Sequence, residues 1–174
     1  MIINVREIPV VAITVVLIII MGYILYLISI VFPFPGVKIL LMSPLLSGMF
    51  TLGILMVKLK KPIFLLPVIL GLLMSFISFF MGLAIIITGI INEIIGQIVF
   101  AGYNNKISII LTTAFFPVLS VLNIMLFFEY VIEISNTFIF SYAGLFIKII
   151  TYILGIIGSY YAFIIQERIK KTGC

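Results

Sequence analysis

Histidine, aspartate and tryptophan are absent from the sequence, and the single cysteine, Cys174, is its last residue. Each absence excludes a chemistry. Without His or Asp there is no Ser-His-Asp triad, no aspartyl pair, no His/Cys metal cluster and no haem-ligating histidine. A single cysteine cannot close an intrachain disulfide. The ending "KTGC" is not a prenylation box either, because the cysteine would have to stand fourth from the end. A membrane protease or a metal-dependent lipid enzyme would lack its working groups, so a non-catalytic chain without metal or cofactor is expected.

Charge is scarce as well. Only 9% of the 174 residues are charged and 65% are hydrophobic, with a mean hydropathy of +1.50. Soluble domains carry about 25% charged and about 45–50% apolar residues. The composition therefore predicts an all-α integral membrane protein, a single domain over residues 1–174. The start resembles a signal peptide, with Arg6 ahead of an apolar run. That run, Val10–Val31, is 22 residues long, against roughly 7–15 for an h-region. No small-x-small cleavage site follows, and a retained helix is expected.

A membrane helix needs about 20 apolar residues to cross ~30 Å of hydrocarbon. Six transmembrane helices are predicted: Val10–Val31, Ile39–Val57, Ile63–Phe80, Leu83–Ala101, Ile107–Phe128 and Ala143–Ile165. The breaks between them have physical causes. "FPFPG" (Phe32–Gly36) joins two prolines and a glycine, which a helix interior does not tolerate. "KLKKP" (Lys58–Pro62) offers a charged end and a proline suited to the next first turn. "GYNNK" (Gly102–Lys106) is a polar turn. Met81–Gly82 is the weakest boundary, and the turn can lie a few residues to either side.

The basic residues are unevenly shared. With a cytoplasmic N-terminus, eight fall inside (Arg6, Lys58, Lys60, Lys61, Lys106, Arg168, Lys170, Lys171) and two outside (Lys38, Lys148). The positive-inside rule places both termini in the cytoplasm. The acidic segment "EYVIEISN" (Glu129–Asn136) then falls outside. Anionic lipid headgroups account for the net charge of +5, and no nucleic-acid partner is implied. Nothing in the chain reads as an inverted repeat, which speaks against a repeat-built carrier.

Polar and small residues recur at helical spacing within these spans. Ser43, Ser47 and Thr51 form a stripe in the second, beside Gly48 and Gly53. The stripe serves either packing inside the bundle or docking to another membrane subunit. Ser108, Thr112, Ser120 and Asn123 lie near one face of the fifth span, with Pro117 between them. Asn123, near the external end, either lines an outward cavity or bonds another helix. In the sixth, Gly144, Lys148, Thr151, Tyr152, Gly155 and Ser159 share a face. Lys148 either snorkels outward or holds an anionic ligand group, or pairs with Glu129 or Glu133. The external segment Glu129–Tyr142, with its apolar "TFIF" (Thr137–Phe140), is either a solvated connection or a lid.

"TGIINEIIGQI" (Thr88–Ile98) places Asn92 and Glu93 between Gly89 and Gly96. Counted from Leu83, Glu93 lies about 15 Å into the span, near mid-membrane. A carboxylate there is costly and must face the bundle interior or an interface. It serves as a structural partner of neighbouring helices or as a ligand contact.

Three segments together carry a family resemblance: "LLSGMFTLGILMVKLKKP", "GLLMSFISFFMG" and "GIINEIIGQIVFAGYNNK". With Gly48 early in the second span, Lys58 closing it, Glu93 in the fourth and the Tyr103–Lys106 loop, the chain resembles the Trep_Strep family. That family is grouped with the substrate-binding (S) components of energy-coupling factor (ECF) transporters. The likeness covers roughly half the chain, Leu45 to Tyr130. It implies a subunit that captures a vitamin-like small molecule outside, in a pocket built from the last three helices and roofed by the first external loop. It also implies partners: a transmembrane coupling protein and two cytosolic ATPases, which the subunit joins and against which it topples to release its ligand. The chain accordingly has no phosphate-binding GxxxxGK[ST] loop. An Ala-x-x-x-Ala docking pattern common in the first helix of S components is absent here, since Val16 follows Ala12 by four.

An S component would draw its ligand contacts from Glu93, Asn92, Asn123, Glu129, Glu133, Lys148 and Tyr152, and its docking surface from Ser43, Ser47 and Thr51. The alternatives are a structural or assembly subunit of another membrane complex, a lipid-directed enzyme, and a proton-coupled carrier using Glu93.

Overall fold

The computed structural model describes residues 8–31, 35–57, 65–100, 103–131 and 141–171. These form six α-helices: α1 (Ile8–Ile30), α2 (Pro35–Val57), α3 (Leu65–Ser75), α4 (Phe79–Ile98), α5 (Lys106–Val131) and α6 (Tyr142–Lys171). There is no strand among the described residues. Five of the helices, all but α3, are long and apolar enough to cross a membrane. The protein is an all-helical, multi-pass membrane protein. Its outward side chains say the same: Ile13, Leu17, Ile20 and Ile24 of α1 are exposed, as are Ile149, Ile153 and Ile157 of α6. A helix that is apolar all round is at home in lipid.

Helix boundaries follow local chemistry. Pro35 occupies the first position of α2, where its missing N–H costs nothing. Pro44 and Pro117 stand inside α2 and α5, which run on through them. Membrane helices tolerate this where neighbouring groups re-satisfy the freed backbone.

The third helix differs from expectation. The span expected over Ile63–Phe80 closes early: α3 is described over Leu65–Ser75, 11 residues and roughly 17 Å of helix, and Ile63 and Phe64 lie outside the described residues. The turn falls at Phe76–Ser78 rather than at Met81–Gly82, and Ser78 takes the extended backbone of a helix N-cap. Gly82 is no turn residue. It lies buried inside α4, where an added Cβ would collide with the carbonyl of Gly71 on α3. The absent side chain permits a close helix approach. The turn closes its own backbone, with Ile77 and Ser78 both donating to the Met74 carbonyl. That closure suits a tip whose Phe76, Ile77, Phe79 and Phe80 are all exposed.

The pairings fix the helix directions. Gly22 approaches Met42 while Gly53 approaches Thr14, so α1 and α2 are antiparallel. Gly71 meets Gly82 and Gly89 meets Pro67, so α3 and α4 are antiparallel. Residues 43 and 47 of α2 bond residues 151 and 155 of α6, a constant offset of 108 that marks parallel helices. With α4–α5 and α5–α6 also antiparallel, direction alternates along the chain. The start of α1 and the end of α6 therefore lie at one end of the bundle. The core is built where α1, α2, α3 and α5 meet: Val11, Val15, Ile18, Phe50, Leu66, Leu70 and Phe116 are buried together. Phe50 and Phe116 pack edge to face with centroids 4.3 Å apart.

Candidate functional site: two polar seams

Polar side chains gather along two seams, with opposite character. The first joins α2, α5 and α6. Ser43 donates to the Thr151 carbonyl at 2.6 Å and Ser47 to the Gly155 carbonyl at 2.8 Å. Thr113 hydroxyl stands 2.8 Å from both Thr51 and Ser159. All of these side chains are buried. The approach is close because a Cβ on Gly158 would run into the backbone of Pro44, and one on Gly155 into the Ala114 carbonyl at 2.9 Å. Ser43, Ser47 and Thr51 are thus spent inside the chain. Their side chains are buried against α5 and α6, the packing alternative for this stripe; small hydroxyl residues fit this seam because they let two backbones meet and satisfy both.

The second seam runs between α4 and α5. At one end Asn123 donates from Nδ2 to Thr88 Oγ1 at 2.8 Å, and Thr88 donates on to the Ala84 carbonyl. Beside this pair lies a groove of about 230 Å³ walled by Phe80, Leu83, Ala84, Ile87 and Leu126, with Asn123 as its polar member. Two turns along, Gly96 of α4 packs on Thr112 of α5, 2.5 Å from where its Cβ would be. Asn92 stands between these two contacts on the same face of α4, which sets it level with Pro117. Pro117 has no N–H, so the Thr113 carbonyl loses its usual helical donor there.

Asn92 is 1% exposed and Thr112 fully buried. Neither polar atom of the Asn92 carboxamide, nor the Thr112 hydroxyl, has a hydrogen-bond partner among the described residues. A buried group left unmatched costs about 1–3 kcal/mol. These atoms are the exception in a bundle that satisfies its other buried hydroxyls.

α4 begins at Phe79 and ends at Ile98, so Glu93 stands five residues from its end, roughly 8 Å. Its carboxylate faces neither α2 nor α6. Oε1 accepts from Gln97 Nε2 at 2.6 Å and Oε2 accepts from the Tyr103 phenol at 2.7 Å. Tyr103 lies in the connection to α5. Its burial, then the bond to Glu93, then the nearby negative charge, hold its phenol well above the usual tyrosine value.

The remaining expected residues scatter. Tyr152 is half-buried on α6 and meets Phe115 edge-on, 5.9 Å between centroids. Lys148 is half-buried about two turns into α6. Glu129 falls in the last turn of α5, while Glu133 and the "TFIF" segment lie outside the described residues. The structure thus joins Asn92 and Asn123 on one seam, with Glu93 at its flank, and separates Tyr152 and Lys148 from them. Thr88 and Tyr103 are the members that spacing did not single out. A hydroxyl one turn before an intramembrane Asn was the available signal for the first. Among the described residues no three His, Cys, Asp or Glu side chains gather in a metal-holding group. Set against protein-family models, curated proteins and solved structures, the chain matches none.

Proposed function

We propose that the chain is the substrate-binding S component of an ECF-type importer in a bacterial cytoplasmic membrane. It captures a vitamin-like small molecule outside and delivers it by associating with a coupling protein and two cytosolic ATPases. Six spans with both termini in the cytoplasm belong to this reading. It has Lys106, Arg168, Lys170 and Lys171 gathered at the end where α5 begins and α6 closes. Positive charge is retained on the cytoplasmic side.

The observation that carries the reading is the α4–α5 seam. A groove that is apolar but for Asn123 opens at the outer end, and an unmatched carboxamide lies farther in. Small-molecule sites combine apolar walls with a few polar groups in this way. With the serine stripe internal, docking to the coupling protein falls to α1, whose outward face of Ile13, Val16, Leu17 and Ile20 is exposed. The alternative is a structural or assembly subunit of another membrane complex.

Co-expression with an ECF coupling protein and its two ATPases tests the proposal. Co-purification of all four chains is expected. A chain that purifies alone under conditions where an authentic S component is retained would overturn it.

A further inference from the structure

Buried polar atoms rarely go unmatched, because a protein interior offers no water to replace a lost partner. In the α2–α5–α6 seam every buried hydroxyl named above has a partner. In the α4–α5 seam three buried polar atoms have none: Asn92 Nδ2, Asn92 Oδ1 and Thr112 Oγ1. They come from facing helices and lie about one turn apart, since Gly96, four residues after Asn92, packs on Thr112. Exchanging the oxygen and nitrogen of the carboxamide leaves the count unchanged, because both are unmatched.

The chemistry of these atoms defines what fits. A carboxamide asks for one acceptor and one donor, and a threonine hydroxyl serves as either. The ionisable groups close by are matched to each other: the Tyr103 phenol, which lies beside Gly96, donates to Glu93, and Glu93 also accepts from Gln97. The site therefore shows no unpaired charge, and burying a charged ligand there would be costly. The missing side chain of Gly96 lets α4 approach Thr112 closely, and a Cβ there would also meet the Tyr103 hydroxyl at 3.0 Å.

We propose that Asn92 and Thr112 form a binding site for a neutral donor–acceptor group. The occupant is the hydroxyl or carboxamide of a small solute, or a water molecule. The site lies in the half of α4 nearer Ile98, beyond the Asn123–Thr88 bond that separates it from the groove. Only the solute case rests on the capture reading, because water would match the same atoms.

Alkylation by iodoacetamide, itself a small neutral carboxamide, tests this in the full chain carrying Cys174→Ser. Thr112→Cys and Val15→Cys are compared; Val15 is fully buried in the apolar core. A dry apolar setting raises a thiol's pKa, and each unit removes tenfold of the reactive thiolate. Alkylation at position 112 is therefore expected to be on the order of tenfold faster. Adding Asn92→Leu should slow it toward the Val15→Cys rate. Equal rates at the two positions would overturn the site. If Thr112→Cys does not fold, Asn92→Cys is read against the same control.

Native mass spectrometry of the unlabelled protein then separates the two occupants. A retained neutral mass that Asn92→Leu abolishes identifies a solute. Fast alkylation without a retained mass identifies water, and either result supports the site. Fast alkylation in a chain that never joins an ECF module would sink the capture reading alone. Equal rates in a chain that does join would sink the site alone.

Discussion

The Tyr103 phenol donates to Glu93 Oε2 at 2.7 Å, tying the α4–α5 connection to the last turns of α4 across ten residues of chain. The bond explains how a carboxylate is held beside an apolar bundle: it lies near a helix end, with a phenol and an amide as donors. The same bond gives the protein a pH response. The phenol's folded-state pKa is raised, so its contribution to stability is complete below the unfolded tyrosine value of about 10. That contribution is lost progressively as pH rises beyond it. Thermal unfolding in detergent should show a fall in stability in alkali that Tyr103→Phe reduces, and ultraviolet titration should show a late-forming tyrosinate that the same substitution removes. An identical alkaline fall in both proteins would contradict the assignment.

Gly158→Ala tests the closeness of α2 and α6. The added methyl would meet the Pro44 backbone, which has no flexible end to yield. Overpacking costs typically about 1–3 kcal/mol, and a lower midpoint in thermal unfolding is expected. Gly22→Ala is the comparison, because a Cβ there meets only the flexible end of Met42 at 4.0 Å; it should be near neutral.

Lys106 and Glu167 pair at 3.6 Å with both side chains substantially exposed. Such pairs contribute about 0–1 kcal/mol, so Glu167→Gln should change stability little. Lys106 also lies 4.9 Å over the Phe163 ring and 5.6 Å over Tyr160. Lys106→Ala should therefore cost more than Glu167→Gln. Equal effects would assign the contact to the ion pair alone.

Much of the helical order was legible in the sequence, because its punctuation is chemical. Pro35 opens α2, and the polar turn before Lys106 opens α5. The short third helix was not legible. Gly82 reads as a turn marker when only its lack of a side chain is considered, yet that lack serves the contact with Gly71. The four-residue shift of α4's start in turn places Glu93 nearer the Ile98 end of the helix than its start. The stripe of Ser43, Ser47 and Thr51 was visible, but spacing cannot distinguish a partner helix in the same chain from one in another. Asn92 was visible as a candidate ligand contact in the fourth span. That it lacks partners emerges only when α5 is in place, with the Thr112 hydroxyl about a turn away and no N–H at Pro117.

The division between a seam whose polar groups are matched within the fold and a seam proposed to bind a ligand is tested most directly by one paired stability measurement. Ser47→Ala and Asn92→Leu are unfolded in the same detergent. Ser47→Ala removes a matched interhelical bond and should cost about 0.6–2 kcal/mol. Asn92→Leu removes two unmatched atoms and should be neutral or stabilising, as at sites kept for function at the expense of stability. A loss in Asn92→Leu equal to that in Ser47→Ala would show that Asn92 also holds the fold, and would contradict the division.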